Sequence, residues 1–210
     1  MEISVNKKSK NIEPDNKVIE YSEAAGIPKK YVSAIWSQVE FKTQEQKAAK
    51  DIIKNFINYG IRQGRNLIYT GEYGTGKTFC SILTANTCYQ YRRVENYFYT
   101  KTSSLLSCIK NDFNTDSRET FDKAVNTDLL ILDEFGRDNW SDFDKLTMFN
   151  IIDDRYSNMQ SIIFITNMSK NELFKNLEPS IVSRLVEDTV FVDFGKTDLR
   201  KIRRITNETI

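Results

Sequence analysis

The chain contains no histidine. Every mechanism that needs an imidazole as base, nucleophile or metal ligand is therefore excluded. Cysteine is scarce, with only Cys80, Cys88 and Cys108. These form no C-x-x-C pair and their number is odd, so neither a disulfide framework nor an all-cysteine zinc site fits. A reducing compartment, the cytoplasm, is the expectation. No apolar run approaches the ~18 residues of a membrane span, and no charged-then-apolar export segment opens the sequence. No membrane association is expected. Charge of one sign is lacking too: 30 Lys and Arg against 29 Asp and Glu leave +1. Any nucleic-acid contact must then come from a local patch and not from a basic body.

What is present is 210 residues, 40% hydrophobic and 28% charged, the composition of one ordinary globular domain. Residues 1–25 are polar, with a basic cluster at Lys7, Lys8 and Lys10, and are expected to form a flexible arm. Residues 26–210 are expected to form one domain. Thr43 with Gln46 and Ser169 with Glu172 have the spacing of capping boxes, and Ser141 with Asp144 resembles a helix start; apolar residues at helical intervals follow Thr43 and Ser141. On the helix after Ser141 the apolar face reads as Leu146, Phe149, Ile152 and Tyr156. Asn66–Thr70, Tyr97–Tyr99, Leu129–Leu132, Ile162–Ile165 and Val190–Val192 are short apolar runs between such helices. Strands buried on both faces read this way in parallel sheets. The alternation predicts an α/β three-layer domain with a five-stranded, mostly parallel sheet.

The first apolar run leads into Gly71-Glu72-Tyr73-Gly74-Thr75-Gly76-Lys77-Thr78, which matches the phosphate-binding pattern G-x-x-x-x-G-K-[ST]. Gly71, Gly74 and Gly76 let backbone N–H groups turn inward around phosphate oxygens, and Thr75 sits among them. The helix that follows offers its N-terminus to the anion. Lys77 supplies a point charge to the β and γ phosphates, and the Thr78 hydroxyl is placed to ligate Mg²⁺. The run at Leu129 ends in Asp133-Glu134, carboxylates at the C-terminal edge of the sheet, where ligands of such sheets bind. There Asp133 suits a magnesium ion and Glu134 the attacking water.

Other positions read two ways. Asn167, directly after the fourth run, either contacts the γ-phosphate or lytic water or serves as a local turn former. Arg184, on a helix that Pro179 would start, either acts across a subunit interface on the transferring phosphoryl group or pairs with a surface carboxylate. Tyr89, Tyr91, Arg92 and Arg93 either form a stacking and basic patch for single-stranded DNA or a helix end with cations that suit its dipole.

Taken together, GEYGTGKT, LLILDEFG, NIIDDRY with IIFITNMS, SIVSRL and DLRK resemble the DnaC/DnaI-type helicase loaders, which are AAA+ P-loop ATPases, with the IstB transposition helpers as close relatives. The resemblance runs from about Gly26 to Arg204. It implies a P-loop NTPase fold with an AAA+ core, and ATP and Mg²⁺ as ligands. It makes Lys77 and Thr78 Walker A residues and Asp133 and Glu134 Walker B. Asn167 becomes the first sensor, Arg184 the arginine finger and Arg200 the second sensor. The implied activity is ATP hydrolysis by an ATP-bound homo-oligomer that helps place a replicative helicase on single-stranded DNA. An IstB-like transposition helper is the alternative client assignment. A nucleotide-gated binding module with little turnover is the alternative class. Loaders of this family carry a separate N-terminal domain, whereas only the short arm is expected ahead of Gly26 here.

Overall fold

The computed structural model describes residues 16–41, 43–136 and 139–199. Five strands, β1 (Asn66–Thr70), β2 (Tyr97–Lys101), β3 (Leu129–Asp133), β4 (Ser161–Ile165) and β5 (Thr189–Asp193), form one sheet in the order β2-β3-β4-β1-β5. Every pairing in it is parallel. Parallel neighbours need crossovers, and helices α1 (Asn16–Ala24), α2 (Gln44–Asn58), α3 (Lys77–Gln90), α4 (Thr102–Asn114), α5 (Glu119–Asn126), α6 (Asp142–Ser157), α7 (Lys170–Asn176) and α8 (Pro179–Asp188) flank the sheet.

The period of two along each strand divides the core into two layers. Leu67, Tyr69, Leu129, Ile131, Ile163 and Ile165 face one way, against residues of α2 and α3 such as Ile53, Phe56, Ile82 and Ala85. Ile68, Leu130, Leu132, Ile162 and Phe164 face the other way, against α4, α6, α7 and α8 through Leu105, Met148, Leu173 and Ile181. This is the expected three-layer α/β arrangement around a buried parallel sheet. All three expected helix starts form, each as a capping box, with Thr43, Ser141 and Ser169 accepting from the N–H groups of Gln46, Asp144 and Glu172.

Two expectations need correction. Residues 1–25 were expected to be a flexible arm, yet Asn16–Ala24 are helical. Tyr21 stacks on Tyr89 of α3 with ring centroids 4.3 Å apart, and the Ser22 hydroxyl donates to Val18 O and Asn86 Oδ1. Residues 1–15, with the lysine cluster, lie outside the described residues. The second correction concerns α6, whose inward face is Thr147, Met148, Ile151, Ile152 and Arg155, while Leu146 is 61% exposed. The inward cation rotates the pattern. Arg155 is fully buried, and its N–H groups donate to the carbonyls of Ala124, Thr127, Asp128 and Ser161. Burial pulls its guanidinium down to about 9. The carbonyls supply the acceptors that keep it a cation at neutral pH.

Candidate active site

The site lies where the C-terminal ends of β3, β4 and β1, adjacent in the sheet, come together. β1 runs into the glycine-rich loop, and α3 begins at Lys77 with Gly76 as its N-cap at φ 97°. That left-handed turn is open to glycine without strain. No side chain caps α3, so its first N–H groups are left for an anion. The Thr75 hydroxyl tightens the loop by donating to Glu72 O at 2.9 Å.

Lys77 is only 6% exposed. Its ammonium donates to Gly71 O at 2.7 Å, Glu72 O at 2.8 Å and Asn167 Oδ1 at 2.8 Å. Lys77 of α3 and Asn167 after β4 are thus brought together at the loop. An ammonium has three donors and no acceptor, so a cation held this way can exchange these neutral oxygens for charged phosphate oxygens.

Asp133 ends β3. Its Oδ2 accepts from the Thr78 hydroxyl at 3.0 Å and the Tyr99 phenol at 2.7 Å, and its Oδ1 accepts from the Glu134 N–H at 2.8 Å. Burial, with the Asp133 charge next, pushes the Tyr99 hydroxyl far above its ordinary range, so it remains a donor. Glu134 follows at φ 58°, a left-handed conformation that costs a non-glycine residue about 1–2 kcal/mol. Its carboxylate lies 3.1 Å from the Lys101 ammonium at the end of β2. Strain of this kind concentrates at functional sites.

A cavity of about 460 Å³ opens over the loop, lined by Gly74, Thr75, Gly76, Lys77, Thr78, Asp133, Glu134 and Asn167. Its further wall includes Tyr31, Val39, Phe41, Phe79, Phe194 and Leu199. An apolar wall beside a polar, cationic floor suits a flat heterocycle joined to phosphates. Sequence reasoning missed this wall. The segment carrying Tyr31, Val39 and Phe41 has little helix and no strand, and is pinned to α3 by Trp36 Nε1 donating to Thr87 Oγ1 at 2.8 Å. The chain after β5 was missed as well. It laces onto the loop through Glu72 N to Gly195 O and Leu199 N to Gly74 O, both 3.0 Å.

Among the described residues, no group of three or more His, Cys, Asp or Glu could hold a metal ion. Thr78 and Asp133 offer two hard oxygens on one side of the cavity. That donor set fits Mg²⁺, which takes few protein oxygens and shares phosphate oxygens and waters.

Arg184 does not line the cavity. From α8 its Nε donates to Asp153 Oδ1 at 2.7 Å, and its guanidinium sits 5.3 Å over the Tyr156 ring. That pair holds its guanidinium above the usual range. Arg200, expected beside the nucleotide, lies outside the described residues, as do Arg203 and Arg204. Tyr89, considered for base stacking, spends its ring on Tyr21.

The model of the family described as "IstB-like ATP binding protein" matches residues 7–205. The replicative helicase loader DnaC of Buchnera aphidicola subsp. Baizongia pistaciae (strain Bp) is 22% identical over 182 residues, covering 84% of this chain and 73% of the relative. The replicative helicase loader DnaC of Escherichia coli (strain K12) is 25% identical over 123 residues, 57% of this chain and 49% of the relative. The match thus spans about half the length of the Escherichia coli protein. A crystal structure of the DnaC helicase loader superposes with a TM-score of 0.72 at 27% identity, over 79% of this chain and 99% of that one. Among the described residues, no helix is long and apolar enough to cross a membrane.

Proposed function

The chain belongs to the family of IstB-like ATP binding proteins, and from that premise we propose that it is a magnesium-dependent ATPase that helps place a replicative helicase on single-stranded DNA. The observation that carries the reading is the joint arrangement of Lys77 on Asn167 and Thr78 on Asp133 at one cavity. Such a pairing of cation, hydroxyl and carboxylate is what positioning a triphosphate requires.

In this reading the loop N–H groups and Lys77 bind the phosphates, while Thr78 and Asp133 hold the magnesium ion. Bound magnesium neutralises charge on the phosphate oxygens. Glu134 accepts a proton from the attacking water, and Asn167 orients the terminal phosphate. Arg184 completes a neighbouring subunit's site, so the working form is an ATP-bound homo-oligomer. Glu134 paired with Lys101, and Arg184 with Asp153, fit a lone subunit that turns over slowly until partner and DNA assemble it. Arg200 keeps the second-sensor role that the resemblance implies, as a proposal.

The client assignment is supported by the similarity to replicative helicase loaders. The resemblance to the IstB transposition helpers keeps a second client in view, a transposase. The test is ATP turnover of the full chain with single-stranded DNA and the host's hexameric helicase, alone and together, with Glu134→Gln as control. The expected result is stimulation by helicase and DNA that falls on the order of 10²-fold in the variant. Stimulation by a transposase and not by helicase would transfer the protein to the second client. Turnover at background in every mixture would leave only a nucleotide-gated binder.

A further inference from the structure

The Asp133 carboxylate is gripped from a side that the phosphate loop does not supply. Tyr99 lies in the middle of β2, in register with Ile131, two residues before Asp133 on the neighbouring strand. Side chains two apart on a strand share a face, and a diagonal cross-strand neighbour is within reach of a long side chain. The phenol spans that diagonal and donates to Asp133 Oδ2 at 2.7 Å, the same oxygen that accepts from Thr78 at 3.0 Å. With the Glu134 N–H on Oδ1, the carboxylate plane is fixed from three directions.

Tyr99 is itself held. Its N–H donates to Ala25 O at 2.9 Å. Gly26 comes so close that a Cβ there would meet Tyr99 O at 2.6 Å. The segment that follows α1 therefore clamps the backbone of β2 at the residue whose side chain reaches Asp133. Further along, the Thr102 hydroxyl donates to Asp133 O at 3.0 Å, so the backbone of this carboxylate is tied down as well. A buried phenol takes an acceptor wherever it sits; the acceptor that Tyr99 takes is the carboxylate of the site.

We propose that Tyr99 is a positioning residue for metal binding, orienting the Asp133 carboxylate so that Thr78 and Asp133 present their oxygens to one magnesium ion. The inference rests on the nucleotide-site reading above and adds a residue outside the motifs that define it. Partners that orient a metal-ligating group change metal affinity by roughly 10- to 100-fold when removed.

The test is calorimetric ATP binding to the full chain, titrated over magnesium concentration and repeated with the metal chelated. Three proteins are compared: wild type, Tyr99→Phe and Tyr97→Phe. Phenylalanine keeps the ring packing in both variants. Tyr97 lies on the same strand, and its hydroxyl donates to Asn86 Oδ1 at 2.6 Å, in the contact with α1. It is the control for loss of a buried phenol as such. Tyr99→Phe is expected to raise the magnesium concentration for half-maximal ATP affinity about tenfold, with metal-free binding unchanged. Tyr97→Phe is expected to lower the melting temperature and leave the magnesium requirement where it was. An unchanged requirement in Tyr99→Phe, or equal shifts in both variants, overturns the proposal. If wild type itself shows no magnesium-dependent affinity, the nucleotide reading fails, a result distinct from failure at Tyr99 alone.

Discussion

Lys77 and Arg184 are both cations with proposed work on phosphoryl oxygens, and the structure treats them in opposite ways. Lys77 is buried at the start of α3, with its ammonium on three oxygens within the loop and its neighbour Asn167. Arg184 sits on α8 with a side chain 38% exposed, paired with Asp153 on α6 and away from the cavity. The difference separates two tasks. On the proposed mechanism, capture of a nucleotide would be the work of one chain, whereas charge stabilisation during transfer would fall to a residue that its own cavity does not use. The proposal then has turnover depend on a second copy while binding does not.

The comparison breaks most visibly at Arg184. Arg184→Ala is expected to lower turnover of the assembled protein by about 10³-fold while ATP affinity of the isolated chain is unchanged. Steady-state phosphate release and calorimetry measure the two sides, and normal turnover would remove Arg184 from the mechanism. Lys77→Ala is expected to act on binding itself, weakening ATP affinity on the order of 10²-fold, since it removes a charge-assisted contact in a desolvated site. Equal ATP affinity in that variant would contradict the role given to the loop.

Arg155 supplies a third, purely structural cation on the flank that carries Asp153. Arg155→Met strands the carbonyls of Ala124, Thr127, Asp128 and Ser161. The expected loss is about 2–3 kcal/mol of stability, read by urea denaturation. A midpoint like that of wild type would mean that water or rearrangement satisfies those carbonyls. The smallest effect is expected at Asp153→Asn. An exposed ion pair contributes about 0–1 kcal/mol, so freeing Arg184 should change assembled turnover by no more than about fivefold. A larger rise would make the Asp153 contact a strong latch on the arginine.

Much of the fold is legible in the sequence. Strands such as Leu129–Asp133 announce themselves because a parallel sheet buried on both faces needs uninterrupted apolar runs. The helix starts at Thr43, Ser141 and Ser169 depend on contacts three residues apart, and those are written locally. The loop ending in Lys77 and Thr78 is contiguous, so its pattern survives in one dimension. What escaped reading depends on long-range partners. Helices α1 and α5 are nine and eight residues long, too short for a 3.6-residue period to stand out. Tyr99 read as a strand aromatic because its acceptor is 34 residues away. Lys101 meets Glu134 across 33. On α6 an arginine, Arg155, lies on the buried face, so the apolar residues alone do not mark the inward side. Asn167 was balanced between turn former and phosphate contact, and its Oδ1 on the Lys77 ammonium sets it at the loop.

Binding calorimetry of the full chain with ATP, in magnesium and again with the metal chelated, bears most directly on the whole account. The arrangement of Lys77, Thr78 and Asp133 predicts saturable binding to folded protein that weakens about tenfold or more when magnesium is withdrawn. Folded protein that takes up no ATP, or binds it equally well without the metal, would contradict the assignment of this cavity to a magnesium-bound triphosphate.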